Sequence, residues 1–371
     1  MTATPSYPPS MFNPLALSEQ MYAEMARIYA ATRTGSQIAS GKIRPRVGQT
    51  PKETIWTLNK SKLYYYYPQV PSERVHRVPI LLVFALINRP YIFDLRPGNS
   101  FIEFMVQQGY PVYLLDWGSP GAEDAHLDFA DFALDYLPRA IRKMQAHAGS
   151  HEFSMLGWCI GATLATIYAA RHPDHGLRNL LLLTAPLDFT EKGAGPFNIW
   201  LDERYFNVDA LVAQMGNIPG EMIDWGNKML KPVENFIGNY IRLWDNLDNP
   251  GIVESWQAMN TWISDPVPFP GAAFRQWIVE FFRENKFMQG ELLMRGRLVD
   301  PTHITAAVLN IIADKDHLVP SCQSTSIMDR IRSTDKELLI VPGGHIGIMA
   351  GSNARKRLWP QMDAWLSARS S

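Results

Sequence analysis

The chain is poor in cysteine: Cys159 and Cys322 are the only two in 371 residues. A disulfide scaffold is excluded at this size, and a lone thiol in a catalytic motif suits a reducing compartment. Neither sign of charge is in excess. The formal net charge is -1, so no basic face for nucleic acid is advertised. Long apolar runs are missing as well. The longest, PILLVFALI from Pro79 to Ile87, is too short to span a bilayer and reads as a buried strand. The opening MTATPSYPPSMFNPL has neither the basic start nor the apolar core of a signal peptide. These absences lead to the expectation of a cytoplasmic protein with no transmembrane segment. No metal-ligand cluster is visible; His172 and His175, on either side of Pro173, read as a turn. What remains, 46% hydrophobic and 19% charged, suits a globular protein with a sizeable core.

Along the chain the pattern changes several times. Residues 1 to about 15 are rich in Pro and Ser and read as disordered. A helix is expected from Ser18, with Glu19 in its first turn and Met21, Met25, Ile28 and Tyr29 on one face. TIWTLNKSKLYYYYP reads as strands, because it alternates and is rich in β-branched and aromatic residues. Strands and helices then alternate: PILLVFAL, FIEFMVQQG, PVYLLD, FALDYLPRAIRKMQAHA, HEFSMLG, ATLATIYAARHP and LRNLLLLTAP. The strands are apolar on both faces, which predicts a mostly parallel sheet with helices on both sides. From about Pro186 to Glu291 the alternation breaks. Trp200, Trp225, Trp244, Trp256, Trp262 and Trp277, six of the 11 Trp, fall there. Such an insertion reads as a cap over the active site, as a segment whose Trp residues build its own core, or as both. The α/β pattern resumes with the strand AAVLNIIAD, the helix TSIMDRIRS, the strand KELLIV and a closing helix, RKRLWPQMDAWLSA, interrupted near Pro360. The expected organisation is an N-terminal extension with one helix (1–47), a core (48–185 and 292–371) and a cap (186–291).

The chemistry concentrates at Gly157-Trp158-Cys159-Ile160-Gly161, between a strand and a helix. The spacing is that of a nucleophile elbow with Cys in place of Ser. A sharp strand-to-helix turn crowds its backbone, and Gly157 and Gly161 leave room where side chains would clash. Cys159 at the head of a helix is the candidate nucleophile, since the helix dipole favours thiolate. The Ile160 N–H is one expected oxyanion donor, and the loop after the PILLVFAL strand, near Ile87 and Asn88, is expected to carry the second. The acid should follow a late strand, where IIADKDHLVP offers Asp316, with Asp314 as competitor. The base should follow the last strand, where VPGGHIG offers His345 behind Gly343 and Gly344. The order nucleophile, acid, base is that of α/β-hydrolases. A thiolate exchanging with a thioester keeps the acyl group activated, whereas a Ser ester would lose that activation. Cys159 therefore favours acyl transfer from a CoA-type thioester over plain ester hydrolysis, provided the site excludes water.

Beyond the motif, several longer stretches are distinctive: TPKETIWTLNKSKLYYYYP, LINRPYIFDLRPGNSFIEFMVQQGYPVYLLDWG, GWCIGATL, FRQWIVEFF, LNIIADKDHLVP and PGGHIGI. Over about residues 48–369 the chain resembles the catalytic subunit of class III polyhydroxyalkanoate synthases. The resemblance implies an α/β-hydrolase fold in which Cys159 carries the acyl chain, His345 is its base and Asp316 is the third member. It implies an (R)-3-hydroxyacyl-CoA substrate of short chain length, a polyester product on cytoplasmic granules, release of CoA and no cofactor. It also implies a non-catalytic partner subunit and a homodimer. One residue departs from the pattern: the family has a second Gly after the elbow, where this chain has Ala162. Two rival readings remain open, a thioesterase or polyester depolymerase of the same fold, and a non-catalytic granule-binding protein.

Overall fold

The computed structural model describes residues 45–190, 197–351 and 353–370, together with Tyr22, Glu24, Met25, Ile28, Tyr29, 32–36 and Ile38. The expected disorder of the first residues and the expected helix start at Ser18, Glu19 and Met21 lie outside the described residues. Met25, Ile28 and Tyr29 are helical, and all three are exposed.

Eight strands form one sheet in the order β1-β2-β4-β3-β5-β6-β9-β10. They are β1 (Lys52–Leu58), β2 (Ser61–Tyr66), β3 (Ile80–Val83), β4 (Val112–Asp116), β5 (Phe153–Trp158), β6 (Leu177–Leu183), β9 (Ala307–Ala313) and β10 (Lys336–Val341). A small hairpin, β7 (Leu293–Met294) with β8 (Arg297–Leu298), stands apart. β1 pairs antiparallel with β2, and β2 with β4; every other pairing in the large sheet is parallel. β3 and β5 are buried at every residue, as strands covered on both faces must be. β10 is the exception to the expected two-sided burial. It lies at the sheet edge, and its Ile340 is 60% exposed.

The topology decides where a site can form. β4 lies on one side of β3 and β5 on the other, so the chain changes direction across the sheet there. Loops leaving the carboxyl ends of β3 and β5 diverge at that point and open a crevice. In register, Val83 pairs with Gly157, so both loops start at the same height.

By contacts the chain divides into two compact units, residues 1–45 with 232–259, and residues 46–231 with 260–371. The larger unit holds the sheet. In it, Ile218 and Phe269 exchange backbone hydrogen bonds of 2.9 Å, and the Arg283 guanidinium donates to the carbonyls of Leu201 and Phe206. Gly271 is required by close approach, since a Cβ there would stand 2.0 Å from the Gly216 oxygen. Ala272 and Ala273 donate to the carbonyls of Ala125 and Leu127 at 2.9 and 3.0 Å. In the smaller unit, a π turn over Glu234–Gly238 continues into the helix Asn239–Trp244, and Val233, Ile237, Tyr240, Ile241 and Trp244 are exposed along it. Of the six Trp in 186–291, Trp262 is buried at 4%, whereas Trp200, Trp225 and Trp244 are 42%, 61% and 70% exposed.

Two helices differ from expectation. TSIMDRIRS, residues 325–333, holds only the last residue of a helix over Ser321–Thr325 and a tight turn over Ser326–Asp329. Thr325 and Ser326 turn their hydroxyls back onto the Cys322 carbonyl, competing with helix propagation. At the C-terminus, a π turn over Ala354–Leu358 runs directly into the helix Trp359–Ser367. Pro360 stands just past the π turn with helical backbone on both sides, so the chain is not broken there.

Candidate active site

Cys159 follows the last residue of β5 and caps the helix Ile160–Arg171. Its φ of 57° and ψ of −130° are strained for a residue with a side chain. The surroundings hold it there. Its N–H donates to Leu183 O at 3.0 Å, and its carbonyl accepts from Ala162 at 2.8 Å and Thr163 at 3.3 Å. The flanking glycines are obligatory for steric reasons. A Cβ on Gly157 would stand 2.5 Å from the Ala162 Cα, and one on Gly161 would stand 2.3 Å from the Val83 oxygen. The elbow is thus wedged against the end of β3. Ala162 is wholly buried in the first turn of the helix, and the methyl that departs from the family pattern lies inside the packing.

His345 is carried by the turn after β10. Gly343, at φ 151°, lets the chain reverse there. The turn is tied to the loop after β9 twice: Gly343 N–H donates to Asp314 Oδ1 at 2.9 Å, and Lys315 N–H donates to Gly343 O at 2.9 Å. His345 is buried, and its Nδ1 lies 2.6 Å from Asp316 Oδ2. The other carboxylate oxygen, Asp316 Oδ1, accepts the N–H groups of Leu318 and Val319, each at 2.9 Å. A carboxylate engaged in that way is an acceptor, so Nδ1 carries the hydrogen, and Nε2 is left for the Cys159 sulfur, whose charge also acts on the ring. Burial alone would lower the imidazole pKa. The charges of Asp316 and the Cys159 sulfur outweigh it and raise the pKa well above the ordinary value.

The structure therefore brings Cys159, His345 and Asp316 together. Asp314 points elsewhere, exposed and bonded to the Gly343 turn. Ile160 is the first residue of its helix, and its N–H has no intrahelical acceptor. Ile87 and Asn88 lie half-buried in the loop after β3. Asn88 bridges Pro266, and Ile87 O accepts from Val267 N at 3.3 Å.

Two features of this site carry no local sequence signal. Trp158 is wholly buried and packs its ring 5.1 Å from Phe84, 5.6 Å from Phe93 and 6.2 Å from His345. The second is the contact between the loop at 87–89 and the segment 262–267, which no spacing rule could join. His172, the bland candidate, stacks on Tyr168, and burial pushes its pKa down to about 4. Among the described residues no group of His, Cys, Asp and Glu is arranged to hold a metal, and no helix is long and apolar enough to cross a membrane.

The chain is similar to known proteins. Residues 95–352 match the alpha/beta hydrolase fold family, and residues 19–105 match the N-terminus of poly-beta-hydroxybutyrate polymerase. The chain is similar to the poly(3-hydroxyalkanoate) polymerase subunit PhaC of Haloferax mediterranei, 35% identical over 356 residues, or 96% of this chain and 72% of that one. It is similar to the same subunit of Allochromatium vinosum, 36% identical over 325 residues, covering 87% and 90% of the two chains. For that of Synechocystis sp., identity is 33% over 328 residues, covering 87% and 86%. Among solved structures it is similar to a monoacylglycerol lipase of Paleococcus ferrophilus, with a TM-score of 0.53 and 16% identity over 84% of this chain and 100% of that one. A soluble variant of monoglyceride lipase from Saccharomyces cerevisiae gives a TM-score of 0.55 and 14% identity over 88% and 97%. At such identities the likeness to the lipases is one of fold. The identity to the polymerases runs along most of both chains, and the chain belongs to the poly(3-hydroxyalkanoate) polymerase family, built on the alpha/beta hydrolase fold.

Proposed function

We propose that this chain polymerises (R)-3-hydroxyacyl-CoA of short chain length, 3-hydroxybutyryl-CoA in particular, through an acyl thioester on Cys159. The observation that carries the reading is a cysteine at a strained elbow whose neighbour His345 is held by Asp316, in a chain of the polymerase family.

The cycle has two half-reactions. His345 Nε2 takes and holds the Cys159 proton, and the resulting thiolate attacks the thioester carbonyl. The carbonyl oxygen becomes an oxyanion, which the N–H of Ile160 and an N–H of the Ile87–Asn88 loop stabilise. The C–S bond to CoA then breaks, and CoA leaves with the proton returned by His345. One thioester has replaced another, so little free energy is lost. In the second half, the 3-hydroxyl of another acyl unit attacks the Cys159 thioester. Its proton passes to a base, an ester forms and the Cys159 sulfur is released. His345 and Asp316 are the two candidates for that base. Asp316 holds the imidazole with Nδ1 protonated, which keeps Nε2 directed at the sulfur.

Water must be kept from the thioester, and we assign that role to the 186–291 insertion as a cap. Association with a non-catalytic partner subunit, a homodimer and a place on cytoplasmic polyester granules belong to the same reading. The cycle calls for no cofactor beyond the CoA that leaves.

The test is incubation of purified protein with 3-hydroxybutyryl-CoA, with and without a candidate partner subunit, following CoA release and polymer yield. Polymer with stoichiometric CoA supports the reading. Free hydroxy acid without polymer would overturn it in favour of a thioesterase. No CoA release under either condition would favour a non-catalytic granule-binding protein.

A further inference from the structure

The loop after β3 is held from outside the core sheet by a compact segment, Trp262 to Val267. Trp262 Nε1 donates to the Arg89 carbonyl at 2.7 Å, and Arg89 Nε reaches back to Asp265 Oδ1 at 3.3 Å. The same Asp265 carboxylate lies near the Tyr91 hydroxyl, whose pKa is raised by burial and by that charge. Asn88 bridges Pro266, and Val267 N–H donates to the Ile87 carbonyl at 3.3 Å. At the start of the loop, Trp117 Nε1 donates to the Phe84 carbonyl at 3.0 Å, and the Trp262 ring packs 6.2 Å from that of Phe84.

These contacts have one geometric consequence. The peptide between Ile87 and Asn88 is planar and trans, so its C=O and N–H point in opposite directions. With the Ile87 carbonyl turned to Val267, the Asn88 N–H is turned to the other side. Among the described residues no acceptor takes that N–H. Fixing the carbonyls at 87 and 89 therefore fixes an unused donor between them, on the loop that leaves β3 beside the Cys159 elbow. A preorganised donor accelerates reaction because no reorientation is needed as charge develops.

We propose that Trp262 and Asp265 are positioning residues for the acyl transfer: through Arg89 and the Ile87 carbonyl they hold the Asn88 N–H in the direction of the acyl oxygen on Cys159. The inference rests on the acyl-thioester reading of Cys159 and deepens it, by tying oxyanion stabilisation to a segment of the insertion. Neither side chain touches the reacting atoms; both act through the backbone of the loop. Trp262 is buried and supplies a donor, and Asp265, 44% exposed at the side chain, supplies an acceptor.

The experiment compares Trp262→Phe, Asp265→Asn and Asp265→Glu with wild type and Cys159→Ala. The readouts are kcat and KM for CoA release from 3-hydroxybutyryl-CoA, the rate of Cys159 alkylation by iodoacetamide, and the urea midpoint. Losing the alignment of one oxyanion donor costs about 10²-fold in rate. Trp262→Phe and Asp265→Asn are expected to lower kcat by up to about 10²-fold, with KM within about threefold and alkylation unchanged. Asp265→Glu, which keeps the carboxylate, is expected to recover part of the loss. Unchanged kcat in both variants, or kcat and alkylation falling together, would overturn the proposal. If Trp262→Phe does not fold, Asp265→Asn decides alone, since its side chain reaches solvent. Full turnover by Cys159→Ala would sink the thioester reading itself; loss of turnover there with unchanged kcat in Trp262→Phe and Asp265→Asn would sink only the positioning role.

Discussion

Asp314 and Asp316 leave the same turn and hold two parts of one neighbouring loop: Asp314 accepts the Gly343 N–H, and Asp316 accepts His345 Nδ1. The first bond fixes the backbone that carries the histidine, and the second fixes its ring. Asp316 is the more constrained of the two, because its second oxygen is occupied by the N–H groups of Leu318 and Val319.

The two carboxylates should therefore separate on mutation. Asp316→Asn offers His345 an amide, which favours the wrong tautomer, and kcat for CoA release should fall by about 10⁴-fold. Asp314→Asn removes only part of an exposed backbone hydrogen bond, worth about 1 kcal/mol, and should leave kcat within about tenfold of wild type. Steady-state CoA release with both variants checks the difference; equal losses would count against the role given to Asp316.

Cys159→Ala removes the group that carries the acyl chain, and turnover should fall by about 10⁴-fold or more. Trapping checks this directly. Wild-type protein quenched after exposure to substrate should carry a covalent acyl adduct by intact mass, and Cys159→Ala should carry none.

The His345 pKa predicts a pH dependence of stability. It is raised from 6.5 to about 10 in the folded chain, with burial opposing and the charges of Asp316 and Cys159 prevailing. The unfolded chain keeps the ordinary value, so the folded state binds the proton more tightly. The resulting stabilisation is fully present below about pH 6.5 and is lost as pH rises through about 10. Urea midpoints of the wild type should decline across that window relative to His345→Gln, which has no proton to lose. Parallel curves would contradict the assignment.

The elbow glycines should be intolerant of even one carbon. Gly161→Ala would drive a methyl to 2.3 Å from the Val83 oxygen, and the backbone there has no free space to yield. A loss of about 3 kcal/mol is expected, read as a lower urea midpoint. Ala162→Gly, which restores the family pattern, should cost about 1 kcal/mol through backbone entropy in the first helical turn. A stabilising effect would show that the methyl strains its pocket.

Much of this arrangement was legible in the residues themselves, because it rests on short-range rules. Gly157 and Gly161 flank Cys159 at a spacing that sterics demand, and the elbow's strained φ follows from the same crowding. The apolar runs of β3 and β5 declare strands covered on both faces, and the positions of the late Asp and His follow from strand order. The closing helix and the helix after Pro320 were less legible. Whether Pro360 breaks a helix or is carried within one past a π turn is not something that periodicity reveals. Whether Ser and Thr extend a helix or end it depends on where their hydroxyls find a carbonyl.

The sequence by itself determined the chemistry available: a thiol at an elbow, a histidine after the last strand, two aspartates within reach and a crowd of tryptophans in an insertion. Tertiary structure decided how they are used. It turned Asp316 and not Asp314 to the imidazole, because the direction of each side chain depends on a turn bonded to a second loop. It left Trp225 and Trp244 more than half exposed while burying Trp262 against Phe84. It also set the segment at 262–267 on the loop at 87–89, a contact that only the folded sheet brings together. Distant pairs such as Trp262 and Arg89 meet because intervening strands place them side by side, and no local propensity or spacing encodes that meeting.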